Sequence, residues 1–210
     1  MNILVFGATG LTGKQLVAQA IAHGHRITAF VRSGDGLAGI GGDLHVVTGD
    51  ITDRKAVDAA VKGQDAVVST LGAAKPWRHT PAIVQGVAAI IAAMQANGAE
   101  RFVYQSALGV GDSRGAARGR LIGLMIPLML HAAYEDHAVD ERAIRGSGLA
   151  WTIVRPALLT NGKATGKWTS GPNLRDRFPL STIARADVAA FILRAVERSE
   201  DVRQAINLIG

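Results

Sequence analysis

The sequence predicts an α/β domain built on a doubly wound parallel sheet with helices on both faces. Three observations point there. A short apolar run, Ile3-Leu4-Val5-Phe6, leads into Gly7-Ala8-Thr9-Gly10-Leu11-Thr12-Gly13 and then into apolar residues at Leu16, Val17, Ala20 and Ile21, which reads as strand, glycine turn and helix. Short apolar runs and segments of helical spacing then follow one another along the chain. The length, 210 residues, suits one such domain, 1–210, with small loop-rich substrate-side elaborations.

The glycine spacing, G-x-x-G-x-x-G, is one residue off the usual dinucleotide fingerprint. With 25 glycines in the chain, its placement between an apolar strand and a helix is what makes it informative. Gly7 permits the turn off the strand. Gly10 clears the path for backbone N–H groups to reach a pyrophosphate, and Gly13 lets the helix pack closely on the strand. The positive end of the helix then faces the phosphates, and Thr9 and Thr12 are placed to cap it or to touch phosphate oxygens.

The second strand runs from Arg26 to Arg32. An acidic residue at its end would hold the ribose hydroxyls of NAD. Arg32-Ser33 stands there instead, and a guanidinium fork suits a 2′-phosphate, so NADP(H) is the expected cofactor. Leu44 to Thr48 is the third strand, and Asp53 is the expected N-cap of a helix over 54–62. Between them, Asp50 and Ile51 lie beside an adenine, or Asp50 simply caps the next turn. Asp65 to Ser69 is the fourth strand. The small residues after it, in Thr70-Leu71-Gly72-Ala73, let a ribose–phosphate pass close to the backbone.

A long helix follows over 80–97, stopped at Asn97-Gly98. Arg101 to Gln105 is the fifth strand, and Ser106 at its end lies where a nicotinamide ring and a substrate would meet. Residues 107–133 read as an irregular insertion: a lid, a substrate wall or a dimer surface. Tyr134 to Arg145 is a helix and Trp151 to Pro156 the sixth strand. A second loop-rich segment covers 157–182, a last helix runs from Arg185 to Arg198, and Ala205 to Ile209 adds an edge strand.

Composition excludes several classes of function. There is no cysteine, which removes disulfides, thiol chemistry and Cys-ligated zinc, and no metal site is expected. The net charge is +6, yet no basic run exceeds two residues and no nucleic-acid-binding pattern occurs. The excess is read as a field for an anionic cofactor or substrate. The most apolar stretch, 121–130, is too short to span a bilayer and is interrupted by Gly123 and Pro127. The chain passes from Met1-Asn2 straight into the first strand. A cytoplasmic monomer or homodimer, with neither nucleic-acid nor membrane partners, is expected.

Taken together, GATGLTG, VRS, GDI, DAVVS followed by TLG, FVYQSA and SGLAWTIVRPALLTNG resemble the atypical short-chain dehydrogenase/reductase group. The likeness is to NAD(P)H-binding proteins similar to biliverdin-IXβ reductase/flavin reductase, over nearly the whole chain. The resemblance implies a Rossmann sheet and NADPH. Gly7, Thr9, Gly10, Leu11, Thr12 and Gly13 would serve the pyrophosphate, and Arg32 and Ser33 the 2′-phosphate. Asp50, Ile51, Leu71 and Gly72 would line the adenine and ribose. Ser106 matches a serine on which such flavin reductases rely, and His137 matches a His or Lys position on the preceding helix. The family's histidine after the sixth strand is Ala157 here, and the Tyr-x-x-x-Lys dyad is absent at both Tyr104 and Tyr134.

The expected activity is NADPH-dependent hydride transfer to a flat acceptor such as a flavin or quinone. Ser106 would orient the acceptor or the nicotinamide carboxamide, with His137 or Tyr134 as a secondary proton donor. The alternative is a catalytically weak NADP(H)-binding redox sensor resembling NmrA-like regulators. A sugar-nucleotide epimerase or dehydratase ranks last, because the dyad is missing and little chain follows Pro156.

Overall fold

Along the first strand, alternate side chains enter opposite cores. The computed structural model of the chain describes residues 1–116, 122–175 and 181–210. In β1 (Asn2–Phe6), Ile3 and Val5 join one buried cluster while Leu4 and Phe6 join another, as the two-residue period of a strand requires. The strands β2 (Arg26–Val31), β3 (Leu44–Thr48), β4 (Ala66–Ser69), β5 (Arg101–Gln105) and β6 (Ala150–Pro156) follow, then the short β7 (Leu158–Thr160), β8 (Thr169–Gly171) and β9 (Thr182–Ala184), and finally β10 (Gln204–Ile209).

Eight of them form one sheet in the order β3-β2-β1-β4-β5-β6-β10-β8. Every neighbouring pair is parallel except β10 with β8. The order reverses at β1, so the crevice between the carboxyl ends of β1 and β4 is the topological switch point where ligands of such sheets lie. β7 and β9 make a separate parallel pair.

Helices α1 (Leu11–Ala22) and α5 (Arg185–Glu197) bury their apolar sides on one face. Helices α2 (Arg54–Val61), α3 (Pro81–Asn97) and α4 (Ile122–Gly146) cover the other. The local chemistry of their ends is readable. Asp53 caps α2 by accepting from the Lys55 and Ala56 amides at 3.0 and 3.2 Å. Pro81 occupies the first position of α3, and Gly98 ends it in the left-handed region at φ +70°. Asp187, buried in the first turn of α5, accepts from the Thr165 and Gly166 amides and the Thr165 hydroxyl, and so ties down the stretch that follows β7.

Three expectations are corrected. The segment 107–133 is not irregular throughout: a 3-10 turn spans Gly111–Ala116, and α4 starts at Ile122, passing Gly123 and Pro127 without a break. Residue propensity is a weak prior, and a long apolar stretch overrides it. Residues 117–121 of that segment, and 176–180 of the second loop-rich segment, lie outside the described residues. The second segment also contains β7, β8 and part of β9, each too short to carry a period. Finally, β10 is not an edge. Its outer side pairs with β8, and five of its six residues are buried, which fits a strand inside the sheet.

The packing of α1 on β1 leaves no space at Gly13. A Cβ there would lie 2.1 Å from the Gly7 carbonyl oxygen, whereas one on Gly72 would meet nothing within 4 Å. Gly13→Ala is expected to lower stability by about 1–3 kcal/mol or more, and Gly72→Ala to leave it unchanged. Thermal unfolding of the two variants beside the parent tests this.

Candidate functional site

The glycine loop has the shape of an anion cradle. Gly7 sits at φ +82°, and a side chain there would collide with the Thr70 carbonyl carbon at 2.8 Å. The Gly10 amide bonds back to the Gly7 carbonyl at 2.9 Å, and Gly10 then opens α1 without a side-chain cap. The first-turn amides of this helix therefore keep their donors for a ligand. Thr9, Gly10 and Leu11 are exposed, while Thr12 and Gly13 are buried. Tight glycine contacts, an uncapped helix start and an exposed rim fit a pyrophosphate.

The segments expected at the adenosine end start from the same loop. Gly36, in a 3-10 turn after β2, approaches Thr9 so closely that a Cβ would lie 2.9 Å from its methyl group. The chain after β2, with Arg32 and Ser33 exposed on it, thus folds beside the glycine loop. Asp50 Oδ1 accepts from the Thr52 hydroxyl and amide at 2.7 and 2.8 Å. These bonds and the charge of Arg32 hold its carboxyl below the usual range. Ile51 packs against Gly86 in the second turn of α3, and Leu71 is half-buried against the same core.

Next along the carboxyl edge is a cleft lined by Gly72, Ala73, Thr80, Ile83, Ala133, Asp136, His137 and Asp140. Its walls are tied together. The Ala133 amide donates to the Pro76 carbonyl, and Asp136 accepts from the Thr80 amide at 2.7 Å and pairs with His79 at 2.8 Å. Behind it, the Tyr104 hydroxyl lies 2.7 Å from Asp140 Oδ2 and 2.6 Å from His137 Nδ1. Burial pushes the Asp140 carboxyl up to about 7, assisted by Asp136 and Glu141 and opposed by the Tyr104 hydrogen bond. Burial also holds the His137 imidazole below its ordinary value, so it is neutral at pH 7.

Ser106 faces a second buried group. Its hydroxyl donates to Glu141 Oε1 at 2.7 Å, and Glu141 also receives the Arg155 guanidinium through two nitrogens. Arg155 extends to Asp112 at 2.5 Å. The Tyr134 hydroxyl donates to the Leu108 carbonyl at 3.0 Å. His137 therefore lines the cleft, whereas Ser106 and Tyr134 bond to its supporting wall. Sequence reasoning missed Tyr104 as a partner of α4, and it missed Asp140 and Glu141. The spacing His137-x-x-Asp140-Glu141 puts all three on one side of a helix and was the available signal.

Among the described residues, one group has donor spacing for a metal ion: His23, His25 and Glu197, with ligand atoms within 4.8 Å of one another. It lies where α1 and α5 end, at the amino edge of the sheet, away from the cleft. Its histidines already bond to Glu197.

A family model described as NAD(P)H-binding matches residues 7–199. The chain belongs to this family. Its cofactor is NAD(P)H, and the sheet has the Rossmann topology of the short-chain dehydrogenase/reductase group that the motifs resemble. The photosystem II assembly factor Ycf39 of Synechocystis is 28% identical over 100% of this chain, which spans 63% of that protein's length. An uncharacterized sugar epimerase, YhfK, of Bacillus subtilis is 27% identical over 99% of this chain and 94% of its own. Among solved structures, the anaerobillin reductase ChuY of Escherichia coli matches at TM-score 0.81 and 27% identity, covering 100% of this chain and 97% of that one. No helix among the described residues is long and apolar enough to cross a membrane.

The raised Asp140 value has a thermodynamic consequence. Folded Asp140 holds its proton up to about pH 7, whereas an unfolded aspartate releases it near 3.9, so this group's contribution to stability falls as pH rises between those values. His137, shifted down, works in the opposite sense below about 6.5. Comparison with Asp140→Asn isolates the aspartate. The stability of the variant relative to the parent is expected to rise by roughly 2–4 kcal/mol across that window, as read from urea unfolding at several pH values.

Proposed function

We propose that the protein is an NADPH-dependent reductase that delivers a hydride to a flat acceptor, such as a flavin or quinone, held over the cleft beside His137. One observation carries the reading: the glycine loop, the β4–α3 connection and the His137 cleft are continuous along one sheet edge. Gly7 abuts Thr70 and Leu71, and Gly72 forms a wall of the cleft. A dinucleotide extended from the cradle along this edge brings its reactive end towards His137. The bound cofactor supplies the hydride.

The chain's own residues do the rest. Gly7, Thr9, Gly10, Leu11, Thr12 and Gly13 form the pyrophosphate cradle, Arg32 and Ser33 receive the 2′-phosphate, and Asp50, Ile51, Leu71 and Gly72 border the adenosine and ribose. His137 is the proton donor of the cleft. Ser106 commits its one proton to Glu141 and so positions α4 against the end of β5. Tyr134 fixes the chain after β5 through Leu108. Trp77 is 59% exposed and follows Pro76, whose carbonyl accepts from the Ala133 amide of α4; in this reading its ring is the aromatic surface that a planar acceptor stacks on.

NADPH is expected to bind at least tenfold more tightly than NADH, and Arg32→Ala to remove about that factor, or roughly 1.4 kcal/mol. Titration of both nucleotides, paired with turnover on flavin, quinone and biliverdin acceptors, tests the reading. Tight NADPH binding with no turnover would favour a redox sensor instead. Trp77→Ala is expected to raise KM for the acceptor about 2- to 10-fold with kcat unchanged, the signature of lost uniform binding.

A further inference from the structure

Tyr104 has a single proton and two hydrogen-bond partners. A phenol donates once, so, when any acid proton of Asp140 sits on the oxygen that faces Tyr104, the 2.7 Å contact with Asp140 and the 2.6 Å contact with His137 are filled in two neutral-imidazole arrangements. With Asp140 as a carboxylate, Tyr104 donates to it, His137 Nδ1–H donates to the Tyr104 oxygen, and Nε2 is a bare acceptor. With Asp140 as a carboxylic acid, its O–H donates to the Tyr104 oxygen, Tyr104 donates to Nδ1, and Nε2 carries the proton. The protonation of Asp140 thereby sets what the far side of the imidazole ring offers.

We propose that Asp140, Tyr104 and His137 form a proton wire, in which a proton taken up by Asp140 is presented at His137 Nε2 to whatever occupies the cleft. Tyr104 is fully buried and Asp140 is 1% exposed, so the two inner bonds are shielded from bulk water, with Asp140 reached only from the cleft. His137 lines the cleft, and its Nε2 has no hydrogen-bond partner among the described residues. The surrounding charges are already engaged. Asp136, on α4, is held by His79 and the Thr80 amide from the segment before α3. Glu141, on α4, is held by Arg155 of β6 and by Ser106 after β5. Glu135 pairs outward with His79 and His131. His79, held above its ordinary value by its bond to Asp136, touches Asp136 and not the wire. Within the wire, Asp140 is the group whose charge changes near neutrality, while the imidazole changes only its tautomer.

As a catalytic device the wire rests on the reductase reading. When an acceptor gains a hydride from the reduced nicotinamide, its basic atom takes the Nε2 proton. Nδ1 takes the Tyr104 proton, and the Tyr104 oxygen takes that of Asp140. Three bonds to hydrogen break and three form. Asp140 is left as a carboxylate and regains a proton from the cleft that it lines. His137 is the catalytic residue, and Tyr104 and Asp140 are positioning residues that act through it.

The test needs neither cofactor nor acceptor, so it stands apart from the reductase reading. In protein labelled with 15N-histidine, the ring nitrogens of His137 are followed by NMR from mildly acidic to mildly alkaline pH, with His137→Gln assigning the signals. The expected result is a neutral ring throughout, whose protonated nitrogen changes from Nε2 to Nδ1 as pH rises. Asp140→Asn and Tyr104→Phe should each abolish the midpoint. A ring that becomes doubly protonated there, a tautomer that never changes in the parent protein, or a switch that survives Tyr104→Phe would overturn the proposal. Should the switch be present without any turnover, the wire stands and the reductase reading falls. With turnover, Asp140→Asn is expected to lower kcat at least tenfold, leave KM unchanged and flatten the pH profile.

Discussion

The contact on which everything else depends is the approach of α1 to the end of β1. The Gly7 carbonyl lies where a side chain on Gly13 would begin. That distance fixes the angle at which the helix leaves the strand, and with it the direction of the helix start. The loop between them has no freedom left. Gly7 is wedged against Thr70, whose hydroxyl bonds to the Gly7 carbonyl at 3.2 Å, and this couples the glycine loop to the end of β4. The cradle and the first wall of the cleft are thus one piece of backbone.

The other wall is α4, and polar contacts hold its middle in place. Arg155 and Glu141 are both nearly inaccessible and bond to each other. A pair of this kind contributes little net stability, because desolvation offsets its attraction. Removing one partner leaves an uncompensated charge that costs about 3–5 kcal/mol. Its value here is positional: it sets the rotation of α4 about its axis, and that rotation points His137 and Asp140 at Tyr104.

Much of the fold was legible because its signals are local. The run Ile3 to Phe6, the glycine spacing, the Asp53 cap and the stop at Asn97-Gly98 each act within a few residues, and each appears where expected. The start of α4 was not legible, since Gly123 and Pro127 argue locally for an interruption that the helix does not make. Nor was the interior position of β10, which depends on a three-residue partner too short to leave a pattern. Within the site, His137 could be singled out by resemblance. Tyr104 looked like an ordinary buried strand residue, and its contacts with His137 and Asp140 arise only from the meeting of β5 with α4, which no spacing within either element encodes.

The sheet also has two ends. At one, β3 pairs only with β2 among the described residues, and His45, Val46 and Thr48 are exposed. At the other, the three-residue β8 closes the row by running antiparallel. An open margin of this kind presents unpaired amide and carbonyl groups to any other extended chain. Here one margin is only five residues long with polar side chains on it, and the other is shorter still. Neither offers the long, flat, apolar template that lets sheets grow from molecule to molecule. Margins this short, with polar side chains on them, limit edge-to-edge growth of a sheet rich in Val and Ile.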